Sequence, residues 1–182
     1  MDSLQGKLLM ATPNQLDLNF RNAVILVIQH NDRGAYGVIL NYPHSRGGPP
    51  ERRGSNGHSR RRPRLFWGGP VAGPLMVLHT RLALAEREIV PGVFFSAKRQ
   101  NVARLLSKAG EPRKFFVGYA GWGPRQLEYA VERGIWRIVP ATPEQIFSEE
   151  RDLWEELFRQ TSRRQLQRLF HLRHLPSNPL LN

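Results

Sequence analysis

The run AVILVIQ at Ala23–Gln29 constrains this chain most, because six apolar residues, four of them β-branched, follow one another without a polar break. As a strand such a run has no face to offer to water, so it belongs at the centre of a sheet covered on both sides. It is far too short to cross a bilayer as a helix. The turn Asn31-Asp32-Arg33-Gly34 follows it, and the apolar stretch Tyr36–Leu40 returns, which predicts a β-hairpin.

Around that centre the punctuation alternates between the two periods. Leu8–Ala11 reads as a strand that ends at Thr12-Pro13, with a polar loop to Asn22. Leu65–Trp67 leads into the run GGPV at Gly68–Val71, a tight backbone excursion, and then a strand Leu75–His79. Ser96 reads as the N-cap of a helix through Val102, Leu105 and Leu106 that Gly110 closes. Phe115–Val117 reads as a buried strand ending in GYAGWGP at Gly118–Pro124. A short amphipathic helix is expected over 124–133, stopped by Gly134, and then a strand over 135–139. Thr142, Pro143 and Gln145 spell a capping box with a first-turn proline, and Ser148 reads as the cap of the next helix. There Leu153, Trp154, Leu157 and Phe158 form one stripe, which Leu166, Leu169, Phe170 and Leu175 extend.

The sum is an α+β fold: a single domain with a large mixed, mainly antiparallel β-sheet flanked by short helices. At 182 residues the chain buries roughly two thirds of its unfolded surface without a staple. It has no cysteine, which excludes disulfides, thiolate metal centres and cysteine nucleophiles. The clustered histidines His171 and His174 lack a carboxylate at ligand spacing, so no metal and no cofactor is expected. Residues 1–3 carry no secretory signature, and the expected location is the cytoplasm.

The net charge of +12 is unevenly placed. Residues 43–64 hold seven arginines against Glu51, a balance of +6, with no large apolar side chain to anchor them. Residues 161–182 add +4, so the rest of the chain carries only +2. The expected organisation is a domain over 1–160 containing a disordered loop at 43–64, followed by a basic tail over 161–182.

Four segments in order resemble the AlgH/YqgE family of bacterial proteins: LQGKLLMATPNQLDLNF at Leu4–Phe20, AVILVIQHNDRGAYGVILN at Ala23–Asn41, GGPV followed by LMVLH, and GYAGWGPRQLE at Gly118–Glu128 with Trp136 after it. The resemblance runs from Leu4 to about Gln160 and implies an α+β domain with a large mixed sheet. The family is named for a role in transcriptional regulation, and the resemblance brings no reaction, ligand or catalytic residue with it. This chain departs from the family where the arginine-rich stretch replaces a leucine-rich helix, at Gln29 and Ala130 where acids are common, and in its basic tail.

Three readings of function follow. The first is a non-catalytic cytoplasmic binding or regulatory module, attached to nucleic acid or an acidic protein through Arg52, Arg53, Arg60, Arg61, Arg62, Arg64, Arg163 and Arg164. Against it, the 23 arginines beside four lysines fit a composition bias as well, and the 43–64 stretch has no aromatic to stack bases. The tail's apolar and basic faces also fit docking on its own domain or an anionic surface. The second is a small-molecule sensor or enzyme using a cleft between the GGPV and GYAGWG loops, lined by His79, Gly68, Gly69, Trp122, Gln126 and Glu128. His30 and His79 end strands where an imidazole could act as a base, yet no serine elbow is present, and no residue is assigned as catalytic. Gly118, Gly121 and Gly123 do not match either phosphate-binding fingerprint, and Asp17 with Glu128 would be a distant carboxylate pair. The third is a homodimer formed through exposed sheet edges.

Overall fold

The computed structural model describes residues 2–44, 64–107, 110–148 and 152–170, without the side chains of Leu166, Arg168, Leu169 and Phe170. The strands are β1 (Lys7–Ala11), β2 (Val24–Asn31), β3 (Gly34–Ile39), β4 (Leu65–Trp67), β5 (Met76–His79), β6 (Arg87–Val90), β7 (Val93–Ser96), β8 (Arg113–Val117), β9 (Ala120–Trp122) and β10 (Trp136–Pro140). The helices are α1 (Arg99–Ser107), α2 (Gln126–Glu132), α3 (Pro143–Phe147) and α4 (Leu153–Phe170).

The strands form two five-stranded sheets rather than one. The first, in the order β10-β1-β2-β3-β9, is antiparallel throughout; the second, β4-β8-β5-β7-β6, has one parallel pair, β4 with β8. The period-2 alternation explains how the unbroken apolar run is used. Val24, Leu26 and Ile28 join Leu8, Met10, Val38 and Leu40 against Phe66, Leu78, Phe95 and Phe116 of the second sheet. Ala23, Ile25 and Val27 turn the other way and pack with Leu127 of α2 and Trp136. The run is therefore buried on both faces, between a sheet and a helix. The outer face of the second sheet is covered by Val102 and Leu105 of α1, on Val77 and Phe115.

Helices α3 and α4 join the inter-sheet cluster through Ile146, Leu153 and Leu157. The Thr142–Gln145 capping box is present in both directions. Trp154 stacks on Phe158 and donates its indole N–H to the Ala11 carbonyl at 2.7 Å, which ties α4 to β1. Lys114 lies buried beneath α3, its ammonium 4.2 Å from the Phe66 ring centre and donating to the Ile146 and Ser148 carbonyls at the helix C-terminus, where a cation complements the helix dipole. Ser148 thus lies at the end of α3.

Several local expectations are corrected. Ser96 is not a helix cap: it ends β7 and is wholly buried, and the N-terminus of α1 is capped instead by Glu86, whose carboxylate accepts from the Ala97 and Lys98 amides and from Asn101. The hairpin β6–β7, turning at Pro91-Gly92, was not read from the sequence, and the GYAGWG segment contains an edge strand. Helix α2 starts two residues later than expected, because Arg125 stands in the left-handed region at φ 61°. Helix α4 runs through residue 160 without a break. Residues 45–63 and 171–182, including most of the expected loop and Leu175, lie outside the described residues.

Candidate functional site

The two glycine-rich motifs meet backbone to backbone. Gly68 donates to the Val117 carbonyl at 2.8 Å, and Val71 and Tyr119 exchange two backbone hydrogen bonds of 3.0 Å. The Gly68 carbonyl accepts from Ile39 of β3, so this zipper joins the two sheets. A Cβ at Gly68 would lie 2.2 Å from the Gly118 oxygen, and one at Gly69 2.2 Å from the Tyr119 carbonyl carbon. The glycines are there because backbone packs on backbone. At Gly68 and Gly69, both expected to line a binding cleft, the position of a side chain is taken by the backbone of residues 118–120.

The other residues of the expected cleft divide between the two sheets. His79, buried at the end of β5, shares its neighbourhood with Ser96, 3.0 Å from its Nε2. Its Nδ1 accepts the Arg81 amide at 3.2 Å, so the ring proton sits on Nε2 and points at the serine oxygen. The Ser96 hydroxyl in turn donates to the Leu84 carbonyl. The chain of donors runs from imidazole to serine to carbonyl, the reverse of what activates a serine nucleophile. Burial holds the His79 imidazole below the usual histidine range, Glu111 and Glu86 opposing it and Arg81 reinforcing it.

His30 ends β2 on the first sheet. Its Nδ1 accepts the Leu4 amide at 3.0 Å, and its Nε2 lies 3.2 Å from Glu128 Oε1 of α2 without the alignment of a hydrogen bond. Both ring nitrogens are thus turned into the protein, and the pair ties α2 and the N-terminal segment to β2. Asp17 accepts the Asn19 amide as the cap of a short 3-10 helix over Leu18–Phe20. Gln126, exposed at the start of α2, accepts the Gly123 amide at 2.9 Å. Trp122 packs edge-on against Trp136. Among the described residues no three His, Asp or Glu side chains gather as metal ligands, and no helix is long and apolar enough to cross a membrane.

Of the arginines, Arg163 and Arg164 are exposed on α4, and Arg64 is exposed with its guanidinium 5.3 Å from the Phe66 ring centre. Arg52, Arg53, Arg60, Arg61 and Arg62 lie outside the described residues. The residues flanking their segment are stapled together: the His44 amide donates to the Leu65 carbonyl at 2.8 Å and Pro43 bridges to Phe66, so residues 43 and 44 lie beside edge strand β4.

An open groove of about 280 Å³ lies at the end of the first sheet. Gln29, Asn31 and Arg33 line it on the β2–β3 hairpin, with Tyr36, Tyr119 and Trp122 among the residues across from them. Of the residues expected to bind a ligand, only Trp122 belongs to it. Arg87 of β6 donates to Gln5 at 3.1 Å and to Gln29 at 3.0 Å, clamping the second sheet to the first beside the groove. Burial raises the Tyr36 phenol above its usual range, opposed by Arg87 and assisted by Glu86.

The family model described as AlgH-like matches residues 8–165, which is most of the chain. The chain belongs to the AlgH-like family. The family match reaches beyond Gln160 into α4, in keeping with that helix's packing on β1. A UPF0301 protein of Chlorobaculum tepidum is 37% identical over 162 residues, covering 85% of this chain and 84% of its own. One from Streptomyces avermitilis is 31% identical over 202 aligned residues, covering 100% and 97%. Among solved structures, the AlgH protein from Pseudomonas aeruginosa superposes with a TM-score of 0.69 at 23% identity, over 96% of this chain and 97% of that one. A protein of Corynebacterium diphtheriae gives 0.63 at 22%, over 85% of each. These two likenesses establish a shared α+β fold.

For this AlgH-like chain the sequence reading missed the groove and the His79–Ser96 chain for related reasons. Both depend on which strands lie side by side, and β7, which brings Ser96 to His79, was absent from the reading. A signal for it was present: EIV and VFF flank Pro91-Gly92, apolar runs around a turn dipeptide.

Proposed function

We propose that this AlgH-like protein is a non-catalytic cytoplasmic binding or regulatory module that attaches to a polyanion, nucleic acid or an acidic protein face, through its arginines. The observation that carries the reading is the charge of residues 43–64, seven arginines against one acid, together with the hydrogen bond between His44 and Leu65 that holds the two ends of that segment side by side. Arg163 and Arg164, exposed on α4, supply a second cationic position. The direction of the His79–Ser96–Leu84 hydrogen bonds supports the non-catalytic part, since that serine proton is committed to a carbonyl.

The test replaces Arg52, Arg53, Arg60, Arg61, Arg62, Arg163 and Arg164 by glutamine, which leaves the stapled base and the packed part of α4 intact. Mobility shift with generic RNA and duplex DNA across a salt series should show binding whose log–log slope steepens by about 0.9 per phosphate engaged on duplex. The variant should lose most of that slope while keeping its unfolding midpoint. Unchanged binding in the variant, or binding of neither nucleic acid nor heparin by the parent at low salt, overturns attachment through the arginines; a parent that binds heparin but neither nucleic acid points to an acidic protein face.

A further inference from the structure

We propose that the groove at the β2–β3 hairpin is a binding site for a small anionic ligand built on one flat ring, an aromatic carboxylate in chemical class. Three departures from regular sheet geometry converge there and make it concave. The register of β2 on β3 shifts between Val27 and Gln29, a bulge that sets Gln29 opposite Tyr36. Tyr36 is opposite Gly121 in the β3–β9 register, and the missing side chain lets the Tyr119 ring lie over that position, 3.2 Å from where a Cβ would stand, edge-on to Tyr36. Gly34, at φ +125°, brings the hairpin so close to β9 that a Cβ there would lie 2.2 Å from the Trp122 carbonyl oxygen.

The lining matches the ligand in chemistry and size. Tyr36 and Tyr119 meet edge-to-face at 6.0 Å and supply aromatic surface for a flat ring. Arg33 is exposed and makes no ion pair among the described residues, while its own amide is held by Asn31 at 2.9 Å. A guanidinium held on a fixed turn suits a carboxylate, which it can receive through two parallel hydrogen bonds. Tyr36 adds a phenol that stays protonated and can donate. Glu86, the nearby carboxylate, is already engaged by two amides and Asn101. A volume of about 280 Å³ is at the small end for ligand sites and accommodates a ring with one charged arm. This proposal does not rest on attachment to polyanions, since the cation it uses, Arg33, is not among the seven arginines replaced above.

The experiment titrates the full chain with indole-3-acetate and 4-hydroxybenzoate, and with their neutral amides, following protein amide resonances by NMR. At least one acid should bind saturably with a Kd below about 1 mM and shift resonances of residues 29–36 and 119–122. Its amide should bind about tenfold more weakly or not at all, and Arg33→Gln should weaken the acid by a similar factor. Gly121→Val should abolish binding by pushing the Tyr119 ring out of its place beside Tyr36; should it unfold, the exposed Arg33→Gln still carries the test. Excess heparin should leave the titration unchanged. No saturable binding by either acid, equal binding of acid and amide, an indifferent Arg33→Gln, or displacement by heparin each overturns the proposal.

Discussion

Replacing Ser96 by alanine tests the hydrogen-bond chain at the end of β5. The Ser96 oxygen accepts from His79 Nε2 and passes its own proton to the Leu84 carbonyl, and both side chains are buried. Alanine leaves an imidazole N–H and a backbone carbonyl without partners, each worth about 1–3 kcal/mol when buried. The two losses share one hydroxyl and do not add fully, so the expected destabilisation is about 2–4 kcal/mol. With a urea m-value of about 2 kcal/mol/M, the midpoint at pH 7.5 should fall by roughly 1–2 M. His79 adds a pH signature. The unfolded chain takes up a proton on this histidine near pH 6.5, whereas burial holds the folded group lower. Below 6.5 the unfolded state therefore binds more protons, and the stability due to neutral His79 is lost as pH falls through its folded pKa, at up to about 1.4 kcal/mol per pH unit. The stability difference between the parent and His79→Gln should accordingly shrink between pH 7.5 and 5. A loss below about 0.5 kcal/mol for Ser96→Ala, or a difference that stays flat or grows on acidification, would refute the reasoning.

Two further substitutions probe the frame. Asn41→Leu removes a buried amide that accepts from Val24 and donates to the Asn22 carbonyl, both within 2.9 Å; chemical denaturation should show a loss of about 1–3 kcal/mol, and a neutral result would mean that water replaces the amide. Gly69→Ala, at φ +150° and facing the Tyr119 backbone at 2.2 Å, should open the zipper between the sheets. Hydrogen exchange at the Val71 and Tyr119 amides should then accelerate at least tenfold, and unchanged protection would show that the motif tolerates a side chain.

Much of the fold was legible along the chain because it is written in local periodicity and end signals. The burial of Ala23–Gln29 on both faces, the hairpin at Asn31–Gly34 and the Thr142–Gln145 capping box all follow from residues within a few positions of one another. Ser96 shows where such reading stops. A serine ahead of a helical pattern is locally indistinguishable from a cap, and only the pairing of β7 with β5 sets its hydroxyl beside His79 while Glu86 takes the capping position.

By itself the sequence determined the family, the α+β class, the central strand and the segregation of positive charge, since each is a property of composition or of order along the chain. The tertiary structure alone decided that the strands divide into two sheets, that GGPV and GYAGWG pair through their backbones, that the imidazoles of His30 and His79 turn inward, and that the groove opens beside Tyr36. The physical reason is that strand partners and hydrogen-bond direction are set by segments far apart in the chain. Tyr36 and Gly121 are 85 positions apart yet stand opposite each other, and nothing local to either announces that pairing.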